Sequence, residues 1–70
     1  MSENVDARGL SCPQPVILTR NALQEAGQGE VVVLVDTMTQ VQNCTRAAAQ
    51  LGWQTDWQEQ DNAYKLTLQR

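Results

Sequence analysis

The chain has 70 residues, 41% of them hydrophobic, and a formal net charge of −3. This length predicts one small domain over residues 1–70, and the hydrophobic content is typical of a folded globular protein. The chain has two cysteines and no histidine, which excludes a standard zinc site, and we expect neither a metal nor a cofactor.

The distribution of charge also limits the partners. Five basic residues are spread along the chain, whereas binding to nucleic acid requires a clustered cationic face, so we expect no direct contact with nucleic acid. No apolar run approaches the roughly 18 residues of a membrane span, and the first residues lack a signal-peptide pattern. Two cysteines allow at most one disulfide, so we expect a reduced, cytoplasmic chain.

The first half of the chain predicts a strand and a helix. Polar and apolar residues alternate over residues 4–8, which is typical of a short strand, and a turn follows at residues 9–11. A helix is predicted over residues 13–26, because proline is tolerated at the first helical position and Gly27 supplies a left-handed stop. The helical face that we expect to be buried consists of Val16, Thr19, Ala22, Leu23 and Ala26.

The second half predicts three strands and one helix. The valine-rich run at residues 31–35 indicates a central strand, either covered on both faces or lying beneath a docking surface. A second helix is predicted over residues 40–51, with Gly52 as its stop. Residues 53–58 and 63–69 alternate as strands, with a turn at residues 59–62. Their side chains predicted to lie in the core are Trp53, Trp57, Tyr64, Leu66 and Leu68.

The predicted order β-α-β-α-β-β defines the expected fold class. Each helix follows a strand, as in a crossover connection, and the short last connection indicates an antiparallel hairpin. We therefore expect an α+β fold, a two-layer sandwich in which both helices cover one face of a four-stranded mixed sheet. The other face is expected to be open to water because of its polar residues, which are Gln54, Asp56, Gln58, Lys65 and Thr67.

The motif Cys12-Pro13-Gln14-Pro15 is the main candidate for chemistry. A thiolate at a helix N-terminus interacts with the positive end of the helix dipole and with free backbone N–H groups, which lower its pKa. Pro13 and Pro15 fix the backbone around the sulfur, and Arg8 just before the turn could add positive charge. The alternative is that Cys12 only caps the helix or fills a small apolar space.

The residue at position 15 indicates which chemistry Cys12 supports. In a Cys-x-x-Cys motif the second thiol resolves a mixed disulfide, which gives dithiol redox activity. Here Pro15 stands at that position, so the motif favours holding a sulfur atom over oxidising dithiols.

The second cysteine has a different setting. Cys44 falls in the middle of the apolar face predicted for the second helix, which it shares with Val41, Ala48 and Leu51, and there it is expected to act as a small hydrophobic residue. A disulfide between Cys12 and Cys44 is the alternative, and it would require their Cα atoms to lie within about 7 Å.

The segment around Cys12 resembles a known family. Residues 6–16, Asp-Ala-Arg-Gly-Leu-Ser-Cys-Pro-Gln-Pro-Val, followed by Thr19-Arg20 and Leu23, are similar to the TusA/SirA/YedF family of small sulfur-carrier proteins. The resemblance covers essentially the whole chain and implies the same two-layer fold. The segment 42–52 resembles the YedF-like members, which are linked to selenium metabolism or are uncharacterised.

The resemblance implies a sulfurtransferase-type role for Cys12. In the family the matching cysteine accepts a sulfane sulfur from a cysteine desulfurase or a rhodanese, carries it as a persulfide and passes it to another protein. Downstream destinations in the family include tRNA thiolation, molybdenum cofactor enzymes and sulfur oxidation. Arg8 and Arg20 are candidates for a supporting or docking role. Two alternatives stay open: a non-catalytic docking module of the same fold, on which Ile17, Val32 and Leu34 could form a partner surface, and a redox sensor in which Cys12 oxidises to a sulfenic acid.

Overall fold

A computed structural model describes residues 2–10 and 14–70 of the chain. Within these residues the order of strands and helices is the one predicted from the sequence, β-α-β-α-β-β. The elements are β1 (Ser2–Asp6), α1 (Gln14–Ala26), β2 (Glu30–Val35), α2 (Met38–Gln50), β3 (Gln54–Gln60) and β4 (Ala63–Gln69).

The four strands form one mixed sheet in the order β1-β2-β4-β3. β1 and β2 are parallel, because α1 carries the chain back across the sheet between them. β4 inserts antiparallel to both β2 and β3, so that Leu66 pairs with Val33 on one side and with Trp57 on the other. Together with the two helices, this arrangement confirms the predicted α+β fold class.

Both helices pack on one face of the sheet, and the core lies between the two layers. Along β2 the side chains alternate: Val31, Val33 and Val35 are fully buried, whereas Val32 and Leu34 on the opposite face are only partly covered. Of the two alternatives predicted for this strand, coverage on both faces is therefore wrong. The largest fully buried side chains contributed by the other elements are Leu23, Val41, Leu66 and Leu68.

Both helices end at the predicted glycines, but the second helix begins two residues earlier than predicted. Gly27 and Gly52 have φ values of +74° and +86°, the left-handed conformation that ends a helix. The second helix begins at Met38 and not at residue 40, because the hydroxyl of Thr37 caps it by accepting a hydrogen bond from the backbone N–H of Gln40 at 3.2 Å. The predicted first residue of the first helix, Pro13, lies outside the described residues.

The predicted buried faces of both helices are confirmed. In α1, Thr19, Ala22 and Leu23 are buried, and Val16 and Ala26 are partly buried against the core. In α2, Val41, Cys44 and Ala48 are buried, and Leu51, which follows the helix, packs against the same core.

The strand predictions need three corrections. β1 spans Ser2–Asp6 and not residues 4–8, so Arg8 lies in the following loop. β3 begins after Trp53 and extends to Gln60, so the turn to β4 has only two residues, Asp61 and Asn62. Both have positive φ, as in the type I′ turns that suit the twist of a hairpin.

The prediction that both tryptophans lie in the core is half wrong. Trp53 is 5% exposed and belongs to the core, but Trp57 is 43% exposed. β3 is an edge strand and all its residues are exposed, so the helix layer does not cover Trp57. Its indole instead packs edge-to-face against Tyr64, with ring centroids 5.7 Å apart.

Candidate functional site at the loop before the first helix

The loop that carries the predicted reactive cysteine joins β1 to α1. Cys12 and Pro13 lie outside the described residues, but both ends of the loop, at Leu10 and Gln14, are described. Pro15 is the second residue of α1 and its side chain is fully buried. This burial anchors the first turn of the helix against the core at the last residue of the motif.

The topology brings a second connection beside this loop. Because β1 and β2 are parallel, their carboxyl ends lie at the same edge of the sheet, and each is followed there by a helix. Asp36 and Thr37, which join β2 to α2, are therefore neighbours of residues 7–10. The two strands are already tied at this edge, since the backbone N–H of Ala7 donates to the carbonyl of Leu34 at 2.8 Å.

One side chain of the second connection and one of α2 form hydrogen bonds with the backbone of the loop. The carboxylate of Asp36 accepts a hydrogen bond from the backbone N–H of Gly9, at 2.9 Å from Oδ2. The amide of Gln40 donates from Nε2 to the backbone carbonyl of Leu10 at 2.8 Å. Gly9 has a φ of +77°, a conformation that suits glycine. The chain is thus fixed at two successive residues shortly before position 12.

Gln40 takes part both in the cap of α2 and in a contact with the loop. Its side chain is buried, with 8% of the residue exposed. Its Oε1 atom accepts from the backbone N–H of Asp36 at 3.4 Å, and its own backbone N–H donates to the hydroxyl of Thr37. A buried amide needs partners for its donor and its acceptor, and here each has one.

Arg8 forms an ion pair with Asp6 on the exposed surface. Its Nε and Nη2 atoms donate to Oδ1 and Oδ2 of Asp6, each at 2.9 Å, and its backbone N–H also donates to Oδ1 at 3.1 Å. These hydrogen bonds to the charged form lower the pKa of Asp6 from 3.8 to about 2, the side-chain bond contributing most. The same pairing raises the pKa of the Arg8 guanidinium.

The other predicted cation, Arg20, does not join this pair. Arg20 is exposed on α1. Among the described residues, a salt bridge forms only between Arg8 and Asp6. A docking role for either arginine stays a prediction.

Apolar side chains are exposed near the first turns of both helices. Ile17 is 50% exposed, which confirms that it points away from the buried face of α1, and Leu18 beside it and Met38 at the start of α2 are also exposed. Of these residues only Ile17 was predicted to belong to a partner surface, and that role stays a prediction; Val32 and Leu34, predicted with it, lie on the open face of the sheet.

Cys44 lies in the core, as predicted. It is fully buried in the middle of α2, among the side chains of the main hydrophobic cluster. Its burial makes it a poor acceptor for sulfur from another protein. The alternative of a disulfide to Cys12 concerns a residue outside the described part of the chain.

Sequence reasoning did not identify Asp36 and Gln40 as part of the site. The pattern Thr37-x-x-Gln40 is a capping box and does signal the start of a helix. Nothing in that pattern indicates that the same glutamine reaches Leu10, because this contact depends on the parallel pairing of β1 with β2.

The fold and the loop define a class of protein: small two-layer α+β chains with a Cys-Pro-x-Pro motif at the start of the first helix. The family model described as sulfurtransferase TusA matches residues 3–70. The chain therefore belongs to the TusA sulfurtransferase family, as the sequence resemblance predicted.

Two individual proteins are similar over most of the chain. The crystal structure of a SirA-like protein from Desulfitobacterium hafniense superposes with a TM-score of 0.90 at 38% identity, covering 96% of this chain and 95% of that one. A protein of Halobacterium salinarum named "putative sulfur carrier protein" is 29% identical over 69 residues, covering 93% of this chain and 84% of its own length. In the part of the chain that the structure describes, no helix is long and apolar enough to cross a membrane.

Proposed function

We propose that this chain is a sulfur carrier, which accepts a sulfane sulfur as a persulfide on Cys12 and relays it to an acceptor protein. The observation that carries the proposal is the match to the TusA sulfurtransferase family, which spans residues 3–70 and includes the Cys-Pro-Gln-Pro motif. The similarity to a protein of Halobacterium salinarum that bears a sulfur-carrier name supports the same role.

The proposed transfer needs no external oxidant or reductant. The Cys12 thiolate attacks the terminal sulfur of a donor persulfide, and a new S–S bond forms as the donor's S–S bond breaks. The donor cysteine leaves as a thiolate with the electron pair, and Cys12 holds the terminal sulfur with its proton. Passing the sulfur to an acceptor thiolate repeats the same exchange with Cys12 as the leaving group.

The residues around Cys12 suit a carrier that keeps its sulfur. Pro15 occupies the position where a second cysteine would attack the persulfide, and it is buried. Cys44 is fully buried in α2. Under this proposal residues 1–70 act as one domain in the cytoplasm, the donor is a cysteine desulfurase or a rhodanese, and the acceptor is a protein.

The direct test measures the intact mass of the chain after incubation with a cysteine desulfurase and cysteine. We expect a gain of one or more sulfur atoms that is reversed by a thiol reductant. Cys12→Ser should abolish the gain, because a hydroxyl cannot form a persulfide. Cys44→Ala is the matched control, since it removes the other thiol from a buried position and should leave the gain unchanged.

Three other results would overturn the proposal. Gain of oxygen with peroxide, without sulfur gain from the desulfurase or a rhodanese donor, would indicate a redox sensor. No mass change under any of these conditions would indicate a docking module. Selenium acceptance from a selenium donor, in the absence of sulfur acceptance, would indicate the selenium role of YedF-like members.

A further inference from the structure

We propose that Asp36 and Gln40 are positioning residues for the sulfur-carrying loop, acting on Cys12 through the backbone of Gly9 and Leu10. This inference rests on the proposed function of Cys12 and deepens it. Both residues belong to the β2–α2 connection and its helix, distant in sequence from the motif. Their side chains form hydrogen bonds with Gly9 and Leu10, in the part of the loop that precedes the motif.

The contact of Asp36 is directed at the backbone of Gly9. Gly9 adopts a φ of +77°, and its N–H donates to a carboxylate oxygen at 2.9 Å. Hydrogen bonds to ionised acceptors are roughly twice as strong as those between neutral groups. Glycine has the widest choice of backbone conformations, so this bond restricts a residue that could otherwise adopt several of them.

The contacts of Gln40 require an amide. Its Oε1 accepts from the N–H of Asp36, and its Nε2 donates to the carbonyl of Leu10. An ionised glutamate in the same place could still accept from Asp36, but it has no proton to donate to Leu10. At a pH where the introduced glutamate is ionised, Gln40→Glu therefore keeps the acceptor for Asp36 and removes the donor to the loop.

The bond to Leu10 is not needed for α2 itself. The first turn of α2 is capped by the hydroxyl of Thr37, and the backbone N–H of Val41 donates to the carbonyl of Thr37 at 3.1 Å. A glutamate near a helix N-terminus also interacts favourably with the dipole. The Nε2 atom of Gln40 thus serves the loop rather than the helix.

Fixing residues 9 and 10 matters because transfer between sulfurs depends on geometry. The attacking thiolate must approach the donor persulfide in line with the bond that breaks, and a misplacement of about 1 Å can reduce the rate about 100-fold. Cys12 follows Leu10 by two residues, so the chain that leads to Cys12 starts from the carbonyl that Gln40 holds.

The test compares four variants in the full chain: Gln40→Glu, Gln40→Met, Asp36→Ala and the control Gln42→Met. Gln42 is an exposed residue of the same helix, so Gln42→Met makes the same chemical change away from the loop. The rate of sulfur loading from a persulfide donor is measured against donor concentration. Thermal midpoint and hydrogen exchange of the Gly9 amide are measured alongside.

We expect Gln40→Glu and Gln40→Met to load sulfur at least about tenfold more slowly at saturating donor, with KM little changed, because the sulfur is misplaced rather than the donor surface lost. Gln40→Glu should lower the thermal midpoint, because it buries a charge beside Asp36 and opposite the carbonyl of Leu10, so all loading rates are measured well below the midpoints of the variants. Asp36→Ala should accelerate exchange of the Gly9 amide and also slow loading. Gln42→Met should behave like the parent chain.

Sulfur loading by Gln40→Glu at the parent rate would overturn the inference. So would a reduction of the loading rate in Gln40→Met that is no larger than the reduction in Gln42→Met. If the parent chain takes no sulfur at all, the proposed function fails instead. The positioning is then judged by the pH dependence of Cys12 alkylation with iodoacetamide in Gln40→Met, which adds no charge. The profile should shift to higher pH, because a less firmly held loop weakens the interaction of the thiolate with the helix N-terminus. An unchanged alkylation profile in Gln40→Met would overturn the inference on its own.

Discussion

The carboxylate of Asp6 shows how a single neighbour changes the chemistry of an exposed group. Arg8 donates three hydrogen bonds to it, two of them from the guanidinium, and holds its pKa at about 2. The position of Arg8 just before the turn predicts a source of positive charge for Cys12. In the structure its guanidinium is paired with Asp6, so the pair as a whole carries little net charge.

This pairing predicts a pH dependence that can be measured at one residue. The folded pKa of Asp6 is lower than its ordinary value of 3.8. The pair therefore contributes its full stabilisation above about pH 4 and loses it as the pH falls towards 2. In Arg8→Met the midpoint of Asp6, followed by the NMR shift of its carboxyl carbon, should rise towards 3.8.

The control for this titration is Arg20→Met, which removes the same charge from an exposed position on α1. It should leave the midpoint of Asp6 at about 2. A midpoint that stays low in Arg8→Met would mean that Arg8 is not the cause of the shift.

At the scale of single residues, the sequence predicted which side chains are buried better than it predicted which residues form hydrogen bonds with each other. Cys44, Leu66 and Leu68 are in the core as the periodicity predicted. The hydrogen bonds from Gln40 to Leu10 and from Gly9 to Asp36 were not predicted. Periodicity reports which way a side chain faces within its own element, whereas these bonds depend on which strands are neighbours.

Among the elements, the β3–β4 hairpin has the most constrained backbone. Asp61 and Asn62 have φ values of 52° and 64°, a conformation that favours glycine and is tolerated by Asn and Asp. The two-residue turn also fixes the register, because Gln60 pairs directly with Ala63. The hairpin thus depends on the residue type at position 62.

We expect Asn62→Ala to lower the free energy of unfolding by about 1 kcal/mol, because alanine lacks the polar side chain that makes the left-handed conformation tolerable. Asn62→Gly should cause no such loss, since glycine adopts a positive φ without steric cost. Urea denaturation measures both variants. Gln58→Ala on the same exposed strand is the control, and an Asn62→Ala effect no larger than that of Gln58→Ala would contradict the prediction.

At this scale the sequence predicted all six elements and missed mainly their ends. Glycine stops such as Gly27 act through local conformation, so they were identified correctly. The failure at Trp57 has a different origin: its alternation with the polar neighbours Asp56 and Gln58 is genuine, but β3 lies at the edge of the sheet. Strand order is a property of the whole sheet and is not encoded in the pattern of one strand.

The molecule as a whole has a core on one side of its sheet only. Leu66 and Leu34 lie on the neighbouring strands β4 and β2, on opposite faces of the sheet. Leu66 is fully buried beneath the helices, whereas Leu34 is partly exposed on the open face. The two leucines therefore allow a comparison of the faces with a single type of substitution.

We expect Leu66→Ala to destabilise the chain by about 2–5 kcal/mol, a large share of the stability of a domain of this size. Leu34→Ala should cost about 1 kcal/mol, because its side chain is only partly removed from water. Thermal or urea unfolding measures both changes. Equal costs would mean that the open face is also covered in solution.

The strand order also determines when the sheet can be completed during synthesis. β2, the most apolar strand, lies inside the sheet, and its antiparallel partner β4 comes after α2 and β3. Leu66 follows Val33 in the chain, so Val33 lacks this partner until the later segment has also left the ribosome. Such pairing between distant segments is slow to form, and apolar strands that wait for a partner attract other chains. Chaperones that shield nascent apolar segments would therefore find their target in β2.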